Sequence, residues 1–271
     1  MTPIVHRLAL PLVLVAVLGV TGCSTWNRWF GDYDPTKGWS AAKLYNEAHS
    51  ELLKGNYDEA VNLFETLQAR YPFGRYAQQA ELEIAYAYYK NEEWDAAIAA
   101  ADRFLKLHPQ NPHTDYAWYL KGLANFNRGR TFLTPFLGRD PATKDPTPLQ
   151  QAFEDFGHLL RLYPDSRYAA DARKRMIFLR NELAEHEMHV ADFYMRRGAW
   201  VAAANRGKYV LENYQGAPAV ADALVVMVQA YRKLQLDQPA ADALEVLRAN
   251  FPERVRDLER HERSWWRRLF L

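Results

Sequence analysis

The run Glu185-His186-Glu187-Met188-His189 holds the residue types best suited to metal chemistry in this sequence. His186 and His189, three residues apart, can share a helix face, but the zinc motif HExxH places its histidines four apart. A solvated polar face on a long helix is the better interpretation, so we predict no metal ligand here. The sequence also lacks the Gly-x-Ser-x-Gly, phosphate-loop and dinucleotide-binding motifs, and we assign no catalytic residue and no cofactor. Acidic residues such as Glu81 and Glu83 are interpreted as helix-surface charges, and the protein is predicted not to be an enzyme.

The tyrosines indicate binding rather than catalysis. Of the 16 in the chain, Tyr86 and Tyr89, and again Tyr116 and Tyr119, are three residues apart and so lie on one helix face. Tyrosine rings pack against side chains while their hydroxyls bond a backbone, and a nearby cation can meet a terminal carboxylate. The predicted lining of a groove for an extended peptide is Tyr45, Arg75, Gln79, Tyr86, Tyr89, Lys90, Tyr116 and Tyr119. For any one of these tyrosines, packing between helices is an equally good interpretation.

These side chains are carried by helices that repeat one unit, and residues 55–90 give its pattern. A turn begins at Gly55, and apolar residues then recur at three- and four-residue spacing on one helix face. Proline and glycine in Tyr71-Pro72-Phe73-Gly74 end this helix, and the next is expected to begin at Gln78. The apolar positions that define the second helix of the unit are Ala60, Phe64 and Leu67. The pattern is a helix–turn–helix of the tetratricopeptide (TPR) type.

The unit recurs with a step of 37 residues, which separates Ala60 from Ala97 and Pro72 from Pro109. This step is close to the 34-residue TPR period. The predicted fold class is all-α, a TPR solenoid of five helix–turn–helix repeats in which each unit buries its apolar face on its neighbours. Residues 39–112 hold hairpins one and two, 113–166 hold hairpin three, and 167–252 hold hairpins four and five.

Hairpins three and four depart from the pattern. Hairpin three has 18 extra residues, and the proline-rich segment 128–148 is predicted to be a loop inserted between its helices. Hairpin four begins with an uninterrupted stretch from Arg167 to Arg197, which predicts one long helix. Its second helix carries Gly207 at the position of Phe64, and we expect this glycine to weaken the local core.

Residues 1–22 have the features of an export signal. Arg7 precedes a thirteen-residue apolar run from Leu8 to Val20, which is too short to cross a membrane. The following Val20-Thr21-Gly22-Cys23 resembles a bacterial lipobox, so Cys23 is the predicted lipidation site and 23–38 a lipidated linker. The alternative is an incidental free thiol. Ser24 after the cysteine points, by analogy with bacterial lipoproteins, to the outer membrane and its periplasmic face.

The mature chain carries no net charge. Without residues 1–22 it has 33 basic and 33 acidic side chains, since Arg7 is the only charged residue removed. Nothing in its charge therefore favours nucleic-acid binding.

The C-terminal residues 253–271 form an aromatic and basic tail that includes Trp265 and Trp266. We predict that this tail contacts a partner or membrane, and the alternative is a frayed end that folds back on hairpin five.

The chain resembles the BamD family, TPR lipoproteins of the outer-membrane β-barrel assembly machinery. The resemblance covers nearly the whole mature chain, and its most specific part is the turn Tyr71-Pro72-Phe73-Gly74 with the helix Tyr86-Ala87-Tyr88-Tyr89-Lys90. Further matches are Cys23, Tyr76, Gln78-Gln79, Asp102-Arg103-Phe104, Asp115-Tyr116, Asp145-Pro146, Phe153, Asp155-Phe156, Tyr163-Pro164-Asp165-Ser166-Arg167-Tyr168 and Arg197-Gly198-Ala199-Trp200. The tail Ser264-Trp265-Trp266-Arg267-Arg268-Leu269-Phe270-Leu271 does not match the family pattern.

The resemblance implies a non-enzymatic scaffold anchored in the outer membrane by lipid. Such proteins bind the periplasmic POTRA region of BamA through their C-terminal hairpins, and they bind other Bam lipoproteins. They also bind unfolded outer-membrane proteins, whose aromatic-ended C-terminal signal is received by the N-terminal hairpins. The residue implied to contact BamA is Arg197. The alternative function, which shares the fold, is a TPR lipoprotein adaptor for cell-envelope enzymes of peptidoglycan synthesis or division.

Overall fold

The computed structural model describes residues 34–129 and 145–269, with side chains described to residue 260. Within these ranges every regular element is an α-helix, as predicted, and there are eleven. In chain order they are α1 Ala41–Lys54, α2 Tyr57–Arg70, α3 Arg75–Lys90, α4 Trp94–Leu107, α5 Thr114–Arg128, α6 Thr147–Leu162, α7 Ala169–Arg196, α8 Trp200–Asn213, α9 Val220–Lys233, α10 Asp237–Asn250 and α11 Pro252–Leu269. None of the described helices is both long and apolar enough to span a membrane.

The helices form five hairpins that stack side by side, which confirms the predicted solenoid. Each helix packs against the next one in the chain, from α1 through α11. The first helices of successive hairpins also touch, since α1 contacts α3, α3 contacts α5, and α7 contacts α9. A chain built this way brings residues about one repeat apart into contact, so its surfaces are made by neighbouring units.

One backbone conformation recurs at the turn inside four of the hairpins. The residue two positions before the second helix has a left-handed φ, of 86° at Gly55, 62° at Glu92, 72° at Gly198 and 59° at Gln235. Glycine adopts this conformation freely, whereas for any other residue it costs about 1 kcal/mol of conformational free energy. The turn geometry is therefore imposed by the packing of the two helices, because two of the four positions adopt it without glycine.

The second helix of each hairpin also ends in one way. The backbone N–H of the residue after the helix bonds the carbonyl oxygen four residues earlier, at 2.8–2.9 Å in all five hairpins. The five residues that close these helices are Tyr71, His108, Tyr163, Tyr214 and Phe251. Four of them precede a proline, whereas Tyr214 precedes glutamine.

The predicted apolar positions form the core. Ala60, Phe64 and Leu67 of α2 are each 0% exposed. Phe104 of α4, which is at the position equivalent to Leu67, is 1% exposed. Burying each large side chain contributes about 1.5–3 kcal/mol. Gly122 on α5 lets the ring of Phe156 pack against the helix backbone, because a Cβ there would lie 2.7 Å from Cε1 of Phe156.

Residues 34–39, before α1, are held against the end of α2. The guanidinium of Arg70 donates to the carbonyl oxygen of Thr36 at 2.6 Å and also pairs with the carboxylate of Asp34. The hydroxyl of Tyr71 donates to the carbonyl oxygen of Trp39 at 2.8 Å. The path of the chain into the first hairpin is thus fixed by two residues at the end of its second helix.

Gly207 strengthens packing, contrary to the expectation that it weakens the core of hairpin four. It is buried on α8, and a Cβ there would lie 2.8 Å from the carbonyl oxygen of Ala223 and 2.8 Å from Cγ of Met227. Both neighbours belong to α9. The absent side chain lets α8 approach the backbone of α9, so close helix contact replaces the phenylalanine.

Three expected boundaries shift. Helix α3 begins at Arg75 instead of Gln78, because Gly74 takes up the turn with φ 101°. The inserted segment is shorter than residues 128–148, since α5 includes Arg128 and α6 begins at Thr147. Proline is compatible with the first turn of α6, where no helical N–H bond is lost. Residues 130–144 of the insertion lie outside the described ranges.

The run Glu185–His189 is solvated only in part, which corrects the sequence interpretation: the side chains of Glu185 and His189 are 68% and 45% exposed, whereas the two residues after Glu185 are buried. The long helix is present as α7, but His186 is 7% and Glu187 4% exposed. The carboxylate of Glu187 accepts a hydrogen bond from Arg206 of α8 at 3.0 Å. One face of α7 packs on the neighbouring helices α6 and α8 and is covered, whereas the opposite face is solvated. In the described parts of the chain, no three His, Cys, Asp or Glu side chains are grouped as metal ligands.

The C-terminal segment continues as helix α11 instead of a frayed tail. It begins at Pro252, directly after the last hairpin, and extends to Leu269. Val255 and Leu258 are 6% and 4% exposed and pack on the core of hairpin five. Helix α11 therefore covers the last repeat, and a contact of the tail with a partner or membrane stays a prediction.

Candidate peptide-binding groove

An open groove lies between α3 and α5, the first helices of hairpins two and three. Its central part, of about 240 Å³, is lined by Gln79, Leu82, Glu83, Tyr86, His113 and Tyr116. A second part continues it and is lined by Arg75, Gln78, Gln79, Leu82, Phe104, Asn111, Pro112 and His113. The two parts adjoin, since both are lined by Gln79, Leu82 and His113, and together we call them the α3–α5 groove.

The structure brings half of the predicted peptide-binding residues into this groove: Arg75, Gln79, Tyr86 and Tyr116. Three of them lie on α3 at intervals of four and seven residues, which places them on one stripe of the helix. The fourth, Tyr116, faces this stripe from α5. Burial raises the pKa of Tyr116, with neighbouring Tyr86 adding to the shift.

Tyr45 lies behind the groove in the core. It is 9% exposed, and its ring packs 5.7 Å from that of Phe64 and 5.4 Å from that of Tyr76, between centroids. Its hydroxyl donates to Oε1 of Glu83 at 3.1 Å. Burial, with the charge of Glu83, raises the pKa of Tyr45. Tyr45 therefore positions a groove residue instead of meeting a ligand directly.

Tyr89 and Lys90 lie past the groove, at the end of α3. The hydroxyl of Tyr89 accepts a hydrogen bond from Nδ2 of Asn127 at 3.0 Å, and its ring meets that of Trp94 edge-on at 5.6 Å. Lys90 is exposed as the last residue of the helix. Both remain available to a longer ligand, but neither lines the two parts of the α3–α5 groove.

Tyr119 belongs to the junction between hairpins three and four. Its hydroxyl donates to Oδ2 of Asp171 at 2.7 Å, and its ring stacks on Tyr168 with centroids 4.7 Å apart. Burial and the hydrogen bond to Asp171 raise the pKa of Tyr119 to about 12. The two tyrosines Tyr116 and Tyr119 share a helix face, as predicted, but only Tyr116 faces α3.

Two residues that line the groove, Glu83 and His113, were not predicted from the sequence. Glu83 was interpreted as a helix-surface charge, yet its side chain is 21% exposed and lines the centre of the groove. Its position four residues after Gln79 and three before Tyr86 is the signal that could have revealed it. Glu81, on the other side of α3, is likewise engaged, 2.9 Å from Nε2 of His108.

The remaining two predicted sites are distant from the groove or outside the described chain. Arg197 follows α7 in hairpin four and is exposed, with its guanidinium carbon 4.7 Å from the ring centre of Phe193. It is thus free to contact another protein while Phe193 limits its motion. Cys23 lies outside the described residues, and its lipidation stays a prediction.

A five-hairpin helical solenoid with an open, tyrosine-lined groove defines a scaffold protein, one that acts through its binding surfaces. A protein-family profile described as "YfiO: Outer membrane lipoprotein" matches residues 38–247. The chain belongs to this family, whose curated members carry the name BamD.

Three relatives from different genera illustrate the similarity. "Outer membrane protein assembly factor BamD" of Neisseria gonorrhoeae is 43% identical over 253 residues, covering 92% of this chain and 95% of the relative. The protein of that name from Xylella fastidiosa (strain Temecula1) is 39% identical over 249 residues, covering 92% and 83%. The one from Vibrio cholerae is 38% identical over 232 residues, covering 86% and 92%. The family resemblance of the sequence is thus confirmed across nearly the whole chain.

Proposed function

We propose that the protein is a non-enzymatic scaffold of outer-membrane protein assembly that binds unfolded barrel proteins through the α3–α5 groove. Membership of the BamD family makes it an assembly factor associated with the outer membrane and part of the Bam complex. The groove is the single observation that supports substrate binding in these hairpins, because it joins aromatic rings, hydroxyls and one cation in an open channel.

The dimensions of the groove suit a short extended peptide. Arg75 and Tyr86 are eleven residues apart on α3, or about 16 Å at the helical rise. An extended chain covers this distance with about five residues. A ligand of this length can place one aromatic side chain against Tyr86 and Tyr116 and bring its terminal carboxylate to Arg75.

Photo-crosslinking from the groove tests this binding site. A benzophenone amino acid at position 86, in the full-length protein, should crosslink a barrel-protein peptide that ends in phenylalanine. The matched control is position 209 on α8, where a tyrosine is 38% exposed on a different hairpin. Equal crosslinking from both positions, or none from position 86, would reject the groove as the binding site.

Contact with BamA is proposed at Arg197, by carrying over the match of Arg197-Gly198-Ala199-Trp200 to the family. The exposed guanidinium next to Phe193 supports this, because arginine stacked on an aromatic ring is held ready for a carboxylate on a partner. Arg197→Glu should reduce recovery of the BamA POTRA region at least tenfold in pull-down. The control is Arg196→Glu, because Arg196 is also exposed but pairs with Asp192 within α7. Equal recovery with both variants would contradict the contact.

We propose that other Bam lipoproteins bind the same scaffold.

Membrane attachment is proposed through lipid at Cys23, on the periplasmic face of the outer membrane. Several acyl chains on one residue give stable anchoring where a single chain would not. Cys23→Ala should abolish metabolic labelling with palmitate and release the protein from the membrane fraction. Cys23 is the only cysteine in the chain. Palmitate labelling that persists in this variant would therefore show that the lipid is attached to another type of residue.

A further inference from the structure

The α3–α5 groove is electrically asymmetric along its length. Arg75 lies at one end, beside Asn111 and Pro112, and Glu83 lies in the central part between Gln79 and Tyr86. The two charged residues are eight apart on α3, so about 12 Å of helix axis separates them. A ligand that carries a negative charge at one end therefore meets different environments in its two possible directions.

Glu83 is a fixed feature of the groove. The hydroxyl of Tyr45 donates to its Oε1 at 3.1 Å, and Nδ1 of His49 is 3.4 Å from the same oxygen. The rings of Tyr45 and His49 are themselves stacked, with centroids 5.9 Å apart and planes 8° from parallel. The hydrogen bond from Tyr45 of hairpin one thus holds the carboxylate of hairpin two in position, and His49 packs beside it without a hydrogen bond. Both contacts are with Oε1, which leaves Oε2 as an acceptor.

A fixed carboxylate discriminates between ligand groups by charge. A peptide carboxylate brought next to Glu83 is repelled in a partly desolvated channel, whereas a backbone N–H or a cationic side chain is attracted. Arg75 has the opposite preference and can bond a carboxylate through two N–H groups. Of the groups that line the groove, only Arg75, Glu83 and His113 can carry a charge.

We infer that Glu83 sets the direction and register of the bound peptide, with the terminal carboxylate at Arg75 and the segment about four residues earlier at Glu83. This inference rests on the proposed function, since it assigns a polarity to the peptide in the proposed groove. The register follows from the 12 Å between the two charges, which about four extended residues cover. The direction predicts that a lysine about four residues before the C-terminus is favoured over a glutamate.

The direction can be mapped with two peptides that differ only in the place of a benzophenone. In the first, the benzophenone replaces the C-terminal aromatic residue, and in the second it lies five residues earlier. With the full-length protein and mass-spectrometric mapping, the first should label near Arg75 and Asn111, and the second near Tyr86 and Tyr116. The reverse pattern would overturn the inference while leaving the groove as the binding site. Absence of binding by either peptide would reject the groove, and its polarity with it.

The role of Glu83 can be measured from peptide affinities. We expect the wild-type protein to bind a peptide with lysine four residues before the C-terminus about tenfold more tightly than one with glutamate. Glu83→Gln keeps the size of the side chain and an acceptor for Tyr45, and should reduce this preference to about twofold. Glu81→Gln is the matched control, because Glu81 lies on the opposite side of α3 against His108, and it should keep the full preference.

Amidation of the peptide C-terminus tests the opposite end of the groove. It should weaken binding to the wild-type protein about tenfold and leave binding to Arg75→Gln unchanged. A preference for lysine that persists in Glu83→Gln, or an equal effect of amidation on wild type and Arg75→Gln, would overturn the assignment. Thermal unfolding of each variant checks that a change in affinity does not reflect loss of the fold.

Discussion

At the scale of single residues, Asp155 is a carboxyl group buried between two helices of hairpin three. It is 4% exposed, accepts a hydrogen bond from Nδ2 of Asn125 at 2.7 Å, and lies 3.3 Å from Nζ of Lys121. Burial raises the pKa of Asp155 to about 6, although Lys121 and Asn125 both act in the opposite direction. Desolvation therefore outweighs the ion pair, and the charged form of this side chain is costly in the folded protein.

Asp155→Asn should change how stability depends on pH. Because the folded pKa of Asp155 is above the unfolded value, its contribution to stability is present below about pH 4 and is lost as the pH rises through 6. The loss is at most about 3 kcal/mol at neutral pH. The free energy of unfolding of the variant, relative to wild type, should therefore rise between pH 4 and 7 in urea titrations.

Asp171→Asn is the control of opposite sign. Burial opposes ionisation of Asp171, but hydrogen bonds from Arg175 and Tyr119 outweigh it and lower the pKa. The stability that Asp171 contributes is thus present at neutral pH and lost as the pH falls below about 4. A pH dependence of the same sign in both variants would contradict the assignment of these two carboxyl groups.

Individual contacts were the least predictable part of the site. Spacing on α3 and α5 identified the tyrosine-bearing faces correctly, since Tyr86 and Tyr116 do line the groove. It could not show that Tyr119 bonds Asp171, because that partner is 52 residues away on α7. Nor could it show that Glu83 is held in the groove, because its partner Tyr45 is 38 residues earlier. Such pairings depend on the stacking of hairpins, which the local sequence does not encode.

At the scale of helices, close approach at Gly207 explains how hairpin four packs without a phenylalanine. The sequence established the helix and its period, because a three- and four-residue pattern needs only local information. It could not reveal the distance between α8 and α9, so the glycine was interpreted as a loss of core. A buried helical glycine gives up about 1 kcal/mol of helix propensity, which the closer contact must offset.

Gly207→Ala should destabilise the protein by about 1–3 kcal/mol. Its new Cβ would lie 2.8 Å from the backbone carbonyl oxygen of Ala223, which cannot move without displacing α9. Gly157→Ala is the matched control, because its Cβ would meet only the flexible ends of Arg161 at 3.4 Å and Met176 at 3.7 Å. The control should be neutral or gain up to about 1 kcal/mol of helix propensity. Equal loss in both variants, measured by urea unfolding, would reject the close-approach explanation.

At the scale of the whole molecule, stability is distributed along the solenoid because each hairpin contacts only its neighbours. The repeat number and order were predictable, since a 37-residue step is visible in the sequence and all five hairpins are present. The covering role of α11 was not, because its segment was interpreted as a tail. A last repeat needs such a covering element, since its outer face has no further hairpin to pack against.

Removal of residues 252–271 should destabilise the C-terminal hairpins alone. Val255 and Leu258 would no longer cover Leu224 and Leu247, at a cost of about 3–6 kcal/mol for the two side chains. Hydrogen exchange should accelerate in α9 and α10 and stay unchanged in α1 and α2. Uniform acceleration along the chain would show instead that the solenoid unfolds as one cooperative unit.

Arg70 and Tyr71 fix residues 34–39 against the first hairpin, which limits the distance between the solenoid and a membrane anchor. With an anchor at Cys23, as proposed, only the eleven residues to Asp34 separate the fixed entry of the first hairpin from the lipid. Fully extended, they reach about 40 Å. The entry of the first hairpin is thereby kept within this distance of the bilayer, where the local concentration of the scaffold relative to membrane-bound partners is high. Lengthening this tether would dilute the scaffold at the membrane without altering any of its binding surfaces.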